Sequence, residues 1–339
     1  MKIVMRLLLA FVILGVVLGI SGYFFVFRPN IQVRDNGIFM IRKGELFDTV
    51  AQRLQERGYL QNMYTFRKVA RLKKYPELVK SGRYRLTDRM NNNELINLLR
   101  SGRQEPVHFT FNNVRTLEQF AGIVSRQIAV DSSALLSLLA DEQYVSRLGF
   151  TRENLMGMFI PNTYQIYWDI SPLSFVTRMQ EEYLNFWNDN RRQKAEKAGL
   201  SPMDVMILAS IIEEETIRPE EYPVIAGVYI NRLKRNIPLA ACPTLKFALG
   251  DFTLKRVLKV HTEIDSPYNT YKYKGLPPGP VRMPSIQVVE AVLNYRKHDY
   301  FYFCAKSDFS GGHHFSRTLR QHNEYARQYH QALNRRKIY

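Results

Sequence analysis

Three adjacent carboxylates, Glu213 to Glu215, end the apolar segment that starts at Met206. Acidic side chains at a helix C-terminus face the negative end of the helix dipole, which costs roughly 0.3–1 kcal/mol each. Burial, like-charged neighbours and the dipole would together raise the pKa of whichever carboxyl points inward. A carboxyl with a raised pKa can act as a general acid near neutral pH. The segment therefore predicts either a catalytic carboxyl or an exposed acidic turn, and the pattern favours both equally.

The residues before the carboxylates predict a helix that is buried on every side. Ser201 is a suitable N-cap, followed by Pro202 at the first helical position and Asp204 at the third. The helix should run to about Thr216, and its apolar residues lie all round it. Successive side chains project about 100° apart. Three adjacent carboxylates are therefore not expected to enter one pocket, and at most one should be the working group.

Two further short motifs carry polar groups suited to binding. "YNTY", Tyr268 to Tyr271, offers an amide and phenols that can hydrogen-bond acetamido and hydroxyl groups or hold Glu213 in place. A turn with structural tyrosines has the same composition. In "SGGHHF", His313 and His314 are adjacent, and neighbours on a strand point to opposite faces, which makes a poor chelating pair. Without a motif such as H-E-x-x-H, neither a metal nor another cofactor is expected.

The first residues predict a membrane anchor. Leu7 to Phe27 carries no charge, and about 21 residues at about 1.5 Å each span a bilayer core of ~30 Å. No small-residue cleavage site follows, which favours an uncleaved helix over a signal peptide. Lys2 and Arg6 should keep the amino end in the cytoplasm and send the remainder across the membrane.

The exported part predicts an α+β fold built from repeated small modules. A strand, a polar turn and an amphipathic helix occur in three stretches, Ile38 to Gly58, Gly82 to Gly102, and Val107 to Ile128. Gly157 to Pro172 should form an extended loop or an edge strand that joins two lobes. The predicted domains are 1–28 (cytoplasmic tip and anchor), 29–105, 106–200 (second α+β segment and connecting loop) and 201–339.

The charge balance alone is compatible with several partners. The chain has 339 residues, 48 Lys and Arg against 31 Asp and Glu, and a net charge of +17, which suits nucleic acid, anionic lipid or an anionic polymer. Nucleic acid is disfavoured because the basic residues are scattered, no RNP, zinc-finger or helix-turn-helix signature occurs, and the anchor would place the domain on the wrong side of the membrane.

Four separate blocks carry a family resemblance. "LASIIEEET", "VYINRLKRNIPLAACPT", "SPYNTYKYKGLPPGPVRMPS" and "YFYFCAKSDFSGGHHFSRTLRQHN" resemble, in order and spacing, the MltG/YceG-like endolytic murein transglycosylases. The resemblance implies a single-pass protein of the cytoplasmic (inner) membrane, with a LysM-like α/β lobe at 29–105 and a C-terminal α+β catalytic lobe at 201–339. The catalytic part would be periplasmic or extracellular. The implied partners are peptidoglycan glycan strands, the cytoplasmic membrane and peptidoglycan synthases.

The implied activity is cleavage between N-acetylmuramic acid (MurNAc) and N-acetylglucosamine (GlcNAc) inside nascent strands, which leaves 1,6-anhydroMurNAc ends and limits glycan elongation. The family's catalytic Glu is the first acidic residue of A-S-I-x-E-x-E and falls on Glu213; Glu215 matches the second as a supporting residue. The remaining supporting or glycan-binding candidates are Tyr268, Asn269, Thr270, Tyr271 and His313.

One carboxyl group suffices for this chemistry. A protonated Glu213 would donate its proton to the glycosidic oxygen while an oxocarbenium-like centre develops. The resulting carboxylate would then accept the proton of the sugar's own 6-hydroxyl, which attacks the anomeric carbon. A hydrolase would instead use Glu213 with Glu215 or Glu220 and leave reducing ends. A membrane-tethered scaffold that binds glycan without cleaving it is the other alternative.

The chain also departs from the family pattern. Where the family reads L-Q-S/T-D-P-T, this chain has "LAACPT", so that Cys242 stands at the Asp position. Cys242 cannot replace the charge of an Asp, and the rate or the substrate register could differ as a result. Met156, Asn162 and Gln321 also depart from the pattern. Cys304 is the second cysteine, and a disulfide with Cys242 or two thiols are both compatible with the sequence.

Overall fold

The computed structural model describes residues 2–254 and 258–336; Met1, residues 255–257 and residues 337–339, which fall within the first and last predicted domains, lie outside the described residues. The described fold is mixed, with helices predominating over short strands. The helices are α1 (Lys2–Phe27), α2 (Phe47–Glu56), α3 (Met63–Leu72), α4 (Asn92–Ser101), α5 (Leu117–Gln127), α6 (Ser132–Ala140), α7 (Glu142–Arg147), α8 (Pro172–Phe186), α9 (Asp189–Ala198), α10 (Pro202–Glu215), α11 (Tyr222–Lys234), α12 (Cys242–Leu249), α13 (Lys259–Thr262), α14 (Ile286–Leu293) and α15 (Leu319–Arg335). The strands are β1 (Ile38–Ile41), β2 (Gly82–Arg85), β3 (Val107–Phe111), β4 (Asn162–Ile166), β5 (Tyr302–Ala305) and β6 (His313–Ser316), and they pair as β1–β2, β3–β4 and β5–β6.

Helix α1 has the length and composition of a membrane-spanning helix. Its stretch from Ile3 to Phe27 is apolar, and none of the candidate span is buried inside the protein. Large apolar side chains along it, such as Phe11 at 78% exposure, face away from the rest of the chain. An apolar helix of this kind is compatible with a bilayer, in which its side chains would be covered by lipid.

The chain divides into two compact units. The first unit contains residues 1–109, 127–129 and 164–170, and the second contains residues 110–126, 130–163 and 171–339. The units do not divide the chain at residues 105 and 200, where the sequence predicts domain boundaries. Much of the predicted 106–200 segment belongs to the same unit as α10, and the roles predicted for the individual segments stay predictions.

In the first unit, the strand–turn–helix pattern predicted from the sequence is confirmed. Strands β1 and β2 are antiparallel, with Phe39 opposite Tyr84, and each strand is followed by an amphipathic helix. The aromatic rings of Phe47, Phe66 and Tyr75 pack in the core, with 5.9 Å between the Phe47 and Phe66 centroids. The apolar core therefore comes from the helix faces that the sequence periodicity indicates.

A cluster of buried amides lies beside the end of α1 in the first unit. The Asn92 side chain donates to the Phe25 carbonyl at 3.0 Å and to the Thr65 hydroxyl at 3.1 Å. Its oxygen accepts from Asn30 at 2.7 Å, and Asn30 and Asn92 are almost completely buried. The main-chain N–H groups of Asn30 and Ile31 both donate to the Met90 carbonyl at 3.0 Å. The chain is thus hydrogen-bonded into this unit within a few residues of the helix end.

In the second unit, α10 is the buried helix that the sequence predicts. The Ser201 side chain and Asp204 form a reciprocal capping box, Pro202 occupies the first turn, and the helix ends at Glu215. Every residue from Val205 to Ile212 is buried. Helices α9, α11, α12 and α14 pack around α10, which explains why it is apolar on all sides.

The predicted edge strand in the Gly157 to Pro172 segment is also found. A short 3-10 helix covers Leu155–Met158, and β4 follows it and pairs with β3. Strands β5 and β6 form a separate antiparallel hairpin in the second unit, with Ala305 opposite His313. This hairpin and the C-terminal end of α10 contribute residues to the same cavity.

Candidate active site

All three carboxylates at the end of α10 border one cavity of about 450 Å³. Arg115, Arg282 and His313 also line it. The expectation that adjacent carboxylates could not share a pocket is therefore wrong. Helical periodicity separates adjacent side chains along the side of a helix, whereas this cavity surrounds the helix end, where side chains that diverge by about 100° can border the same space.

Glu213 is held by two hydrogen-bond donors from distant parts of the chain. The Asn113 side-chain amide donates to one carboxyl oxygen at 3.1 Å, and the main-chain N–H of Ser285 donates to the other at 3.0 Å. The Glu213 side chain is 9% exposed, and the nearest nitrogen of Arg282 lies 3.8 Å from it. Both oxygens are thus fixed in direction while the carboxyl still borders the cavity.

Glu214 is occupied by two arginines. Arg115 makes a bidentate contact, with its Nε at 3.1 Å and one terminal nitrogen at 3.0 Å. Arg282 donates to the same carboxylate at 2.5 Å, and its own Nε is buried without a hydrogen-bond partner. Paired guanidinium groups compensate the charge of a largely buried carboxylate. Glu214 is therefore the anchor of an ion-pair cluster.

Glu215 is the carboxyl whose pKa is raised. Burial is the largest cause and raises the pKa of Glu215 to about 7, against the opposing effects of the Tyr229 hydrogen bond and the Lys246 charge. The Tyr229 hydroxyl donates to Glu215 at 2.8 Å. The rise that the sequence predicts for the inward-pointing carboxyl is thus found at Glu215, which faces the interior beside Tyr229.

A second cavity of about 320 Å³ adjoins the first. Glu215, Ala305 and His313 line both cavities, and the second is also lined by Tyr229, Arg232, Cys242, Tyr271, Phe303, Cys304 and His322. We call it the tyrosine–cysteine cavity. The Cys242 sulfur lies 3.2 Å from the Tyr271 hydroxyl, and both cysteines are free thiols. Burial raises the pKa of Cys242, as does the nearby Glu215 charge, so this thiol is neutral at physiological pH.

The residues of "YNTY" separate into two groups. Asn269 and Thr270 are buried. The Asn269 amide donates to the carbonyls of Thr262 and Ile264, and the Thr270 hydroxyl accepts from the main-chain N–H of Ala241. Because their polar atoms are occupied inside the protein, these two side chains support the loop and are not placed to contact a glycan directly.

The two tyrosines of the motif border cavities. Tyr271 lines the tyrosine–cysteine cavity, and Tyr268 lines a third cavity of about 430 Å³ together with Arg115 and Phe247. The Tyr268 and Phe247 ring centroids are 4.6 Å apart. The two described hydrogen bonds to Glu213 come from Asn113 and Ser285, outside this motif, so that a role of the motif in holding Glu213 stays a prediction.

His313 is oriented by a second carboxylate. Its Nδ1 lies 2.7 Å from Glu221, and its main-chain N–H donates to the other oxygen of Glu221 at 2.8 Å. Gly311 has a φ of +76°, and a Cβ on Gly312 would lie 2.7 Å from the Arg218 side chain and 3.3 Å from Glu221. The positive φ favours glycine at position 311, and a side chain at position 312 would displace the ends of the Arg218 and Glu221 side chains.

His314 has a different environment from His313. Its ring stacks on Tyr325 with 4.4 Å between the centroids. As expected, the two histidines occupy successive positions of β6 opposite Ala305 and Cys304, and they do not converge on a common ligand position. Within residues 2–254 and 258–336, no cluster of three or more His, Cys, Asp or Glu side chains has the arrangement of a metal site.

Several site residues were missed by the sequence reasoning. They are Asn113, Arg115, Tyr229, Arg282 and Ser285. One signal could have identified Arg282, because an arginine between two apolar residues of a Pro-rich loop needs a carboxylate partner if the loop is buried. Its side chain is 13% exposed, and Val281 and Met283 are buried.

The comparison with known families assigns the chain to one of them. The model of the YceG-like family matches residues 39–328. The chain belongs to this family, as the four sequence blocks indicate.

Relatives and a solved structure give the same assignment. The chain is 30% identical over 269 residues to an endolytic murein transglycosylase of Bacillus subtilis, covering 75% of this chain and 74% of the relative. It is 28% identical over 324 residues to an endolytic murein transglycosylase of Streptococcus pneumoniae, covering 85% of this chain but only 58% of the relative's length. A crystallised YceG-like protein of Listeria monocytogenes is similar in fold, with a TM-score of 0.55, 26% identity, and coverage of 85% of this chain and 98% of that chain.

Proposed function

We propose that this protein is a membrane-anchored endolytic lytic transglycosylase that cleaves MurNAc–GlcNAc bonds inside nascent peptidoglycan strands and leaves 1,6-anhydroMurNAc ends. The enzyme class follows from the relatives named endolytic murein transglycosylase. Enzymes of that name are carbon–oxygen lyases that act on a polysaccharide. Such cleavage would limit glycan elongation.

The observation that carries the proposal is the difference between Glu213 and Glu214. Glu214 is engaged by two arginines, whereas Glu213 is oriented by one amide and one main-chain N–H and borders an open cavity. A proton-transfer group must be fixed in direction and must reach the substrate. Glu213 meets both requirements, and it is also the residue that matches the catalytic Glu of the family motif.

The proposed reaction needs one carboxyl group and no water. Glu213 donates a proton to the glycosidic oxygen, the bond from that oxygen to the MurNAc anomeric carbon breaks, and positive charge develops on the sugar ring. The 6-hydroxyl of the same MurNAc attacks the anomeric carbon and forms the 1,6-anhydro bridge. Its proton passes to the Glu213 carboxylate, which restores the starting state.

Glu215 offers a second assignment for the proton donor. With a pKa of about 7, it is about half protonated near neutral pH, and it borders the same cavity as Glu213. In this version Glu215 protonates the glycosidic oxygen, and Glu213 accepts the proton of the 6-hydroxyl. Glu213 then releases that proton to solvent and Glu215 takes one up, which restores the starting state. Replacing each carboxyl in turn distinguishes the assignments, because the first version requires Glu213 and tolerates Glu215→Gln at a reduced rate.

The arrangement of cavities supports cleavage within a polymer. The cavity beside Tyr268 shares Arg115 with the carboxylate cavity, which in turn shares three residues with the tyrosine–cysteine cavity. A substrate that extends on both sides of the scissile bond needs binding space on both sides of the acid. Three neighbouring cavities, with all three carboxylates lining the middle one, suit that need.

The remaining assignments concern location and partners. We place α1 in the cytoplasmic (inner) membrane as a single span, with the catalytic part periplasmic or extracellular. Residues 29–105 act as a LysM-like glycan-binding module and residues 201–339 as the catalytic lobe. The excess of basic residues suits anionic lipid headgroups and the carboxylates of peptide stems. Peptidoglycan synthases are the proposed protein partners, since nascent strands are their product.

The test is product analysis with the full-length protein in detergent micelles and un-crosslinked glycan strands. We expect anhydro ends by mass spectrometry and a loss of about 10²–10⁴ in rate for Glu213→Gln. Glu220→Gln is the matched control, because its side chain is 64% exposed and pairs only with Arg218 among the described ion pairs. It should keep its rate.

Other outcomes identify the alternatives. Reducing ends, heavier by one water, would establish a hydrolase, and a loss of those ends in Glu220→Gln or Glu215→Gln would identify its second carboxylate. Glycan binding without cleavage by either the wild type or Glu213→Gln would establish a non-catalytic scaffold.

A further inference from the structure

The tyrosine–cysteine cavity has no role in the proton transfers assigned to Glu213. We propose that it is a subsite for one neutral N-acetylhexosamine unit, adjoining the carboxylate cavity, and that occupation of its two thiols blocks the enzyme. This inference rests on the proposed function, because it assumes that the neighbouring carboxylates act on an amino-sugar polymer. Its volume of about 320 Å³ lies at the lower end of the range for small-molecule sites, about 300–1,000 Å³.

The position of the cavity connects it to the reaction. Glu215, Ala305 and His313 form a wall common to both cavities. A sugar in the tyrosine–cysteine cavity would therefore be next to the sugar whose bond is cleaved. On the Glu215 side, the carboxyl already accepts a hydrogen bond from Tyr229, so a sugar would extend an existing polar network.

The walls offer the apolar faces that a pyranose ring needs. Tyr229, Tyr271 and Phe303 all line the cavity, and the Tyr229 and Phe303 rings meet edge to face at 5.7 Å. Aromatic rings in such sites pack against apolar parts of a ligand while a few polar groups fix its orientation. The mixture of phenols and aromatic carbon suits a sugar better than a purely apolar ligand.

The polar groups favour a neutral ligand with both donors and acceptors. The Nδ1 atom of His322 is buried without a hydrogen-bond partner, and burial together with the Arg232 charge lowers the pKa of His322, so its ring is neutral. A neutral imidazole can serve an acetamido group as donor or acceptor. Arg232 donates to the carbonyls of Phe301, Pro238 and Leu239 and is committed to the main chain. An anionic ligand would lie beside the Glu215 carboxyl, while the Arg232 guanidinium is already bonded to carbonyl groups.

Cys242 and Cys304 make the proposal directly testable. They are the chain's two cysteines, and both line this cavity while remaining partly accessible. Burial raises the pKa of both thiols. Because the sequence has no further cysteine, a small neutral thiol reagent that enters the cavity would report on its occupancy alone.

The first experiment modifies the full-length protein with methyl methanethiosulfonate. Each thiol loses its proton to buffer, the thiolate attacks the reagent's sulfenyl sulfur to form S–S–CH₃, and methanesulfinate leaves. We expect cleavage of un-crosslinked strands to fall by at least about tenfold, which corresponds to about 1.4 kcal/mol. Dithiothreitol should restore the rate. Undiminished cleavage after mass spectrometry shows both thiols modified would overturn the proposal.

Variants assign the effect to the thiols. Cys242→Ala, Cys304→Ala and the double variant are each compared with their own untreated rate, because either residue could affect the rate directly. We expect the double variant to be insensitive to the reagent. Equal inhibition of the double variant would place the effect elsewhere and contradict the proposal.

The second experiment needs no turnover. In the Glu213→Gln protein, tetra-N-acetylchitotetraose should slow methylthiolation of the cysteines by about tenfold at saturation. Cellotetraose, which lacks acetamido groups, should not. No protection by chitotetraose, or equal protection by cellotetraose, would overturn the amino-sugar assignment. If the untreated wild type leaves no anhydro ends while chitotetraose protects, the proposed function fails and the subsite stands.

Discussion

The first unit and the carboxylate cavity of the second unit are stabilised in different ways. In the first unit, neighbouring modules bury aromatic and aliphatic side chains, and the buried polar residues Asn30 and Asn92 satisfy each other. In the carboxylate cavity, Glu213 and Glu214 depend on partners 68 to 100 positions away in the chain. Grouped buried charges stabilise a fold poorly but can prepare a proton-transfer site, which is the role that we propose for this cavity.

The largest expected effect comes from Arg282→Ala. This change leaves Glu214 with one guanidinium partner and removes the cation nearest to Glu213. Removing one member of a buried ion pair typically costs about 3–5 kcal/mol. We expect a loss of that size in the free energy of unfolding, measured by urea titration, together with loss of strand cleavage. Arg317→Ala is the control, since its pair with Asp299 is exposed and should contribute less than about 1 kcal/mol.

Glu215→Gln should show that the ionised Glu215 carboxylate lowers the stability of the wild type as the pH rises. The pKa of Glu215 is raised from 4.5 to about 7, so the folded protein binds this proton more tightly than the unfolded chain. Stability is therefore lost as the pH rises from about 4.5 to 7. At about 1.4 kcal/mol per pKa unit, the variant should be more stable than the wild type by at most roughly 3.5 kcal/mol at pH 8.

The same difference should vanish near pH 4, where both side chains are neutral. Tyr229→Phe sharpens the test, because it removes a hydrogen bond that lowers the pKa of Glu215 and should shift the transition to higher pH. A stability difference between Glu215→Gln and the wild type that is constant from pH 4 to 8 would contradict the assignment.

In the first unit, Asn92→Ala should affect stability without affecting cleavage. The change removes the acceptor of one of the two Asn30 amide hydrogen bonds and the donor to the Phe25 carbonyl, and an unsatisfied buried polar group costs about 1–3 kcal/mol. We expect a lower unfolding temperature and an unchanged rate per folded molecule. Asn97→Ala, on the exposed side of the same helix, should change stability by less than about 0.5 kcal/mol.

The smallest expected effect is the loss of a helix N-cap, which should lower the unfolding free energy equally in the two regions. Asn91 caps α4 and Ser201 caps α10, each in a reciprocal capping box. Replacing either residue by Ala should cost about 1 kcal/mol in unfolding free energy. If the two substitutions lowered the unfolding free energy by different amounts, the local contribution of the N-cap would differ between the two regions. The difference between the regions would then not be confined to long-range contacts.

The predictable parts of the structure are those that local signals specify. Helix α10 follows from an N-cap, a proline in the first turn and an uninterrupted apolar segment, and the strand–helix modules follow from a change in hydrophobic period. The glycines of "SGGHHF" also have a local reason in the positive φ of Gly311.

The partners of the carboxylates were not predictable by the same means. Asn113 and Glu213 are 100 positions apart, and nothing in either segment specifies that they meet. For the same reason, the sequence indicates that an inward carboxyl has a raised pKa but does not indicate which one lies beside Tyr229. Long-range packing decides both questions.

The short distance between α1 and the first hydrogen bonds of the first unit keeps that unit close to the end of the helix. Helix α1 ends at Phe27, and the N–H groups of Asn30 and Ile31 are already bonded to Met90. Three residues span at most about 10 Å. With α1 in a bilayer, as proposed, the first unit would be held close to the lipid headgroups. It would then contact glycan strands as they leave the membrane, and not the finished wall further out.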